Sequence, residues 1–99
     1  MVIIALLSYP TESVKEMAKR LREQPPLPAY ITMKGHYVTT EVGVGIKSIS
    51  IYEPDKSQYA EAFEVIVSRY AKCLGVPGFT YSANTWLEPQ EAIRLFGMG

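Results

Sequence analysis

The chain has 99 residues with ten basic and ten acidic side chains, so its formal net charge is zero, and 47% of its residues are hydrophobic. That length fits one domain spanning 1–99, and the apolar share suits a packed core and excludes a disordered chain. Balanced charge excludes the basic excess with which nucleic-acid binders neutralise phosphates, and it offers little repulsion against self-association.

Cys73 is the sole cysteine. An intrachain disulfide and a multi-cysteine metal site are therefore ruled out, and no metal is expected. The apolar stretch Met1–Leu7 has no basic flank and is too short for a signal peptide or a membrane span. The expectation is a cytoplasmic protein that uses neither membrane nor nucleic acid as partner.

Val2 to Ser8 is continuously apolar and bounded by Tyr9-Pro10, the pattern of a strand buried on both faces. Pro10 to Gln24 reads as a helix that Thr11 or Ser13 can cap, with Val14, Met17, Ala18 and Leu21 at helical spacing. Pro25-Pro26-Leu27-Pro28 ends it and forces an extended connector. Ala29 to Thr40 reads as a strand. Ile31, Met33 and Tyr37 share one face; Tyr30, Thr32, Lys34, His36 and Val38 share the other. Gly35 inside it signals a bulge after which that phase can slip. Glu41-Val42-Gly43-Val44-Gly45 supplies a hairpin turn, and Ile46 to Glu53 returns as a third strand.

The stretch from Glu53 to Phe79 carries the longest amphipathic segment. Asp55 is its expected N-cap, and Tyr59, Ala62, Phe63, Ile66, Tyr70 and Leu74 form its stripe, with Val67 and Cys73 at the margin. Gly75 and Pro77 stop it. Phe79 to Leu87 alternates as a fourth strand, and Glu88-Pro89 opens a short helix through Phe96. The order βαββαβ plus a terminal helix implies an α+β, ferredoxin-like domain. In it, a four-stranded antiparallel sheet has the first and third strands central and both long helices on one face. The second face of the first strand is then left uncovered, and a second copy of the chain packed sheet to sheet is the simplest cover.

With this element order and the blocks GHYVTTEVGVGIKSISIYE and YAEAFEVIVSRYAKCLGVPGF, nearly the whole chain resembles the dimeric α/β-barrel superfamily. More narrowly, it resembles small members without an assigned activity, through Gly35, Tyr37, Ile51-Tyr52-Glu53, Arg69-Tyr70 and Val76 to Phe79. The resemblance implies a homodimer formed through the sheets. The superfamily includes haem-degrading and quinol-forming monooxygenases, lactone isomerases and plain ligand binders, with catalytic residues that differ between families. It therefore assigns neither a reaction nor a haem or flavin cofactor.

His36 is the lone histidine and hence the candidate general base; its alternative is a solvated or hydrogen-bonded strand histidine. The strand phases predict Thr32, Ser48, Ser50, Tyr52, Asn84 and Trp86 on the helix-free face. Together with His36 they make the candidate ligand-binding set, suited to a small, partly apolar molecule. The same residues also suit a mixed dimer interface. Three functions stay open: a ligand-binding homodimer, a cofactor-light oxygenase or isomerase in the same cavity, with His36 as base and Asn84 or Tyr52 orienting substrate, and an interaction module without ligand. Gly43-Val44-Gly45 lacks a following helix and is turn chemistry, not a phosphate cradle.

Overall fold

The apolar run at the start of the chain becomes an interior strand of a four-stranded sheet. A computed structural model describes residues 1–97. Its elements are β1 (Val2–Tyr9), α1 (Val14–Arg22), β2 (Ile31–Glu41), β3 (Gly45–Pro54), α2 (Tyr59–Ala71), β4 (Thr80–Trp86) and α3 (Pro89–Phe96). The strand order is β2-β3-β1-β4, with every neighbouring pair antiparallel. The first and third strands are therefore the interior pair, as the sequence predicts. No described helix is long and apolar enough to cross a membrane.

Both long helices lie on one face of the sheet. Ile3, Ala5 and Leu7 of β1 pack there with Met17 of α1 and with Ala62, Ile66 and Tyr70 of α2. The molecule is only 19 Å thick along its shortest axis. That thickness accommodates one sheet and one helix layer about 10 Å apart, and nothing more. The alternate residues of β1 turn the other way, and Leu6 is 47% exposed.

The helix ends depart from the predicted caps. A single 3-10 turn precedes each long helix, Thr11–Ser13 and Lys56–Gln58, and neither Ser13 nor Asp55 caps through its side chain. Ser13 is buried and donates its hydroxyl to the Pro77 carbonyl at 2.6 Å, so it ties the start of α1 to the loop after α2. Regular α2 ends at Ala71, short of the predicted stop. The turns that follow rotate Cys73 fully inside and leave Leu74 57% exposed, the reverse of their expected positions. Arg20 holds the two helices together there. It donates to the carbonyls of Lys72 and Leu74 at 3.1 and 3.0 Å while pairing with Glu16 at 2.9 Å.

Gly35 takes φ +102°, a left-handed conformation open to glycine, and the β2–β3 register shifts between Lys34 and Tyr37. The predicted bulge is present, and it reverses the strand's faces. Thr32 and Lys34 before it, and Tyr37 and Thr39 after it, oppose Glu53, Ile51, Ile49 and Lys47, so all of these point away from the helices. Placing Tyr37 with Ile31 and Met33 is thereby corrected.

Ile66→Ala empties a fully buried position and is expected to cost about 2–5 kcal/mol in chemical denaturation. Leu74→Ala is expected to change stability by less than about 1 kcal/mol. Equal losses would restore the longer helix that the sequence predicts.

Candidate functional site

The pleat of β3 sorts the candidate residues onto two faces. Ser50 and Tyr52 are each 1% exposed and face the helices, and Ser48 shares their side, opposite Leu7. Their expected place on the helix-free face is therefore corrected. The hydroxyls of Tyr52 and Tyr70 share a hydrogen bond at 2.8 Å in the core. Alternation gives the partition of a strand but not its sign, and this pairing with α2 sets the sign. Thr32, Asn84 and Trp86 do lie on the helix-free face, where Thr32 opposes Glu53, Asn84 opposes Ile4 and Trp86 opposes Val2.

His36 falls in the bulge and turns inward. Its Nδ1 shares a hydrogen bond with the Ser50 hydroxyl, which brings His36 and Ser50 together beside Tyr70 and Tyr52. Burial, and secondarily the Arg69 guanidinium, hold the His36 pKa below the ordinary histidine value, so the ring is neutral at pH 7. Burial also pushes the Tyr70 phenol far up, with Tyr52 adding to the push, while Ser50 and Arg69 counter it in part.

Sequence reasoning missed three members of this cluster. Gln24 donates Nε2 to the Arg69 carbonyl at 3.0 Å, Arg69 reaches the Pro25 carbonyl, and Tyr70 bonds Tyr52. Gln24 Oε1 is buried without a hydrogen-bond partner. The cavity between Leu21, Gln24, His36, Tyr52, Arg69 and Tyr70 measures about 10 Å³, which admits one water molecule and no organic substrate. The sequence-level hints were Tyr70 in the apolar stripe of the second helix and Arg69-Tyr70 in the block that carries the resemblance.

The helix-free face is the roomier surface. Its side chains form rows across the sheet: Lys34, Ile51, Ile4 and Asn84 in one, Tyr37, Ile49, Leu6 and Ser82 in the next. The centre is thus aliphatic, with Trp86 and Tyr37 at 52% and 61% exposure toward opposite ends. Two ion pairs frame it, Lys34–Glu53 at 2.7 Å and Lys47–Glu41 at 3.4 Å. Exposed pairs of this kind contribute little stability, but they leave the frame neutral. Two open depressions of about 290 Å³ each flank Leu6. One is lined by Tyr37, Val38, Thr39, Lys47, Ser48 and Ile49, the other by Leu7, Ser8, Lys47, Thr80, Tyr81 and Ser82, so both reach round the sheet toward the helix side. A larger groove of about 400 Å³ beside α1 has a lining of charged and amide side chains, including Glu16, Lys19 and Lys72.

Among the described residues no cluster of His, Cys, Asp and Glu has the makings of a metal site. Cys73 is buried and its thiol is pushed up by burial, which leaves it unreactive. No family model matches the chain, and no curated protein does. Among solved structures the chain is similar to a de novo designed protein, Foldit4, with a TM-score of 0.48 and 14% identity over 87% of this chain and 96% of that one.

The His36 pKa has a consequence for stability. The unfolded histidine takes a proton near pH 6.5, whereas the folded one resists, so the unfolded state binds more protons as the pH drops. Stability is expected to be full above that value and to decline as the pH falls through it toward the lower folded value. Melting temperatures at pH 7.5 and 5.0 are expected to differ more for the wild type than for His36→Asn; equal differences would show that another group titrates. Tyr70→Phe strands the buried Tyr52 hydroxyl and is expected to cost about 1–3 kcal/mol. Tyr52→Phe/Tyr70→Phe is expected to cost less than the sum of the two single changes in denaturant titrations.

Proposed function

We propose that the chain is a ferredoxin-like protomer of a homodimer whose helix-free sheet faces meet about a two-fold axis and hold a small, partly apolar molecule between them. The helix-free row of Ile4, Leu6, Ile49 and Ile51, with Leu6 47% exposed and the isoleucines half-buried, carries this reading, because so contiguous an aliphatic surface is normally covered in solution. A second copy is the occupant that its charges suit. Each ion pair on the frame presents one lysine and one glutamate, so an identical face meets it without net repulsion. Two such sheets in contact would close the barrel that the sequence resemblance implies.

The depressions beside Leu6 support the ligand. Each is near the lower size of small-molecule pockets, and two facing copies would merge them into enclosed space. Its walls would combine aliphatic floor, Tyr37, the Lys47 ammonium and the hydroxyls of Thr39 and Thr80, which suits an apolar body with one polar or anionic end. Asn84, Thr32 and Trp86 would border this space from the other end of the sheet. His36 bonds Ser50 on the helix side and so stands outside it. A catalytic use of the interface cavity would therefore run without His36 as base, and Asn84 could not share a substrate with Tyr52.

Native mass spectrometry of the purified protein tests both halves together. The expected result is a dimer carrying additional bound mass. A dimer without it, which also ignores a panel of apolar and aromatic acids in Trp86 fluorescence, would favour an interaction module. Leu6→Asp places a charge at the centre of each face and is expected to yield a folded monomer by circular dichroism and sedimentation. A wild-type monomer at micromolar concentration would overturn the reading.

A further inference from the structure

The Met1 ammonium ties α3 to the start of β1 through Glu91 Oε1 at 2.6 Å, but the helix buries little apolar surface. Glu91 and Ala92 are half-buried, while Ile93, Leu95 and Phe96 are 44%, 59% and 67% exposed. Its start is well formed: Glu88 and Glu91 make a reciprocal capping box, with Pro89 in the first turn. A helix of eight residues is nevertheless marginal in water without tertiary contact. Local capping thus defines a helix whose apolar side chains lack a cover within the described chain.

Its position relative to the sheet points to that cover. α3 leaves the sheet after Trp86, which pairs with Val2 at one end of the helix-free face. The depression of Leu6, Tyr37, Thr39, Lys47 and Ile49 lies toward the opposite end, next to the β2–β3 hairpin. Uncovered apolar bulk gathers at both ends, because Tyr37 is 61% exposed on this face and Val42 is fully exposed in the hairpin turn. One end offers a projecting helix and the other a concavity. A single chain cannot bring the two together, but two antiparallel copies would do so twice.

The area argues the same way. Strands of 8, 11, 10 and 7 residues give the sheet a flat footprint of roughly 570 Å². Stable interfaces usually bury about 800 Å² per partner. On that flat measure the sheet face alone falls short, and the three exposed side chains of α3, at roughly 100 Å² apiece, supply the difference.

We propose that α3 is an exchanged arm: in the homodimer, Leu95 and Phe96 of one copy seat over the Leu6–Tyr37–Ile49 depression of the other and complete its wall. The inference rests on the dimer reading above and adds the direction of the two-fold axis, which must run across the strands so that the Trp86 end of one sheet lies over the hairpin end of the next. The ligand space would then be incomplete without the partner's arm, and the arm would decide how large an apolar body it admits.

Paired cysteine variants test this in the full-length chain. Phe96→Cys and Tyr37→Cys, made separately and mixed, are expected to form a disulfide-linked heterodimer under mild oxidation, with the native Cys73 silent because it is fully buried. Linkage of Phe96→Cys to itself, without the mixed product, would mean arms meeting arms and would overturn the proposal. A wild-type dimer that gives neither product would overturn the arm and leave the sheet interface standing. A wild-type monomer would overturn both. Phe96→Asp provides the second measurement: the dimer dissociation constant is expected to rise at least tenfold, with the melting curve of the monomer unchanged. An unchanged dissociation constant would also overturn the arm.

Discussion

The hydrogen bond between Tyr52 and Tyr70 decides which way the sheet faces. Both phenols are almost fully buried, and neither could remain there unpaired without a cost of a few kcal/mol. Their pairing locks β3 to α2 in one register and one orientation. With Tyr52 inward, Ser50 must be inward as well, and Ile49 and Ile51 must point out. The aliphatic make-up of the helix-free face is therefore a consequence of a polar contact in the core. Tyr70 also stacks on Tyr81 of β4 at 5.6 Å, so the same side chain reaches across the helix layer to the far edge of the sheet.

Much of the architecture was legible from spacing. The apolar run of β1, the helical steps of Val14, Met17 and Leu21, and the glycine-rich turn before β3 each have a local physical cause, and each became the element it suggested. The sign of β3 was not legible, because Ser-Ile-Ser-Ile-Tyr alternates equally well with either half inside. Hydropathy favours burying Ile49 and Ile51. The fold instead buries the serines and Tyr52, since their hydroxyls have partners in His36 and Tyr70. Those partners lie 14 and 18 positions away, beyond any local pattern. Ser13 behaves alike: it looks like a helix cap, yet its hydroxyl serves a loop 64 residues on.

The candidate site was legible in kind more than in membership. Thr32, Asn84 and Trp86 fell where alternation put them. His36 and Tyr37 exchanged sides because the bulge at Gly35 adds a residue that the partner strand does not match. The result is two chemically distinct surfaces: a tight polar chain under the helices with space for one water, and a broad aliphatic sheet framed by ion pairs. Rigid polar order lies where no substrate fits. The open depressions lie where the titratable groups are Tyr37 and the lysines and glutamates at the margins.

The bulge has another effect, on how the molecule can associate at all. β2 is an edge strand of eleven residues, and a long, flat edge offers its unpaired amides and carbonyls to any other strand, the usual route to fibrous stacking. The irregularity at Gly35 interrupts the repeat of those donors and acceptors partway along and bends the strand locally. A foreign strand could match one half of the edge, but not both in one register. Growth sideways, which has no natural end, is thus discouraged, while contact through the broad side of the sheet, which closes after one partner, is left free.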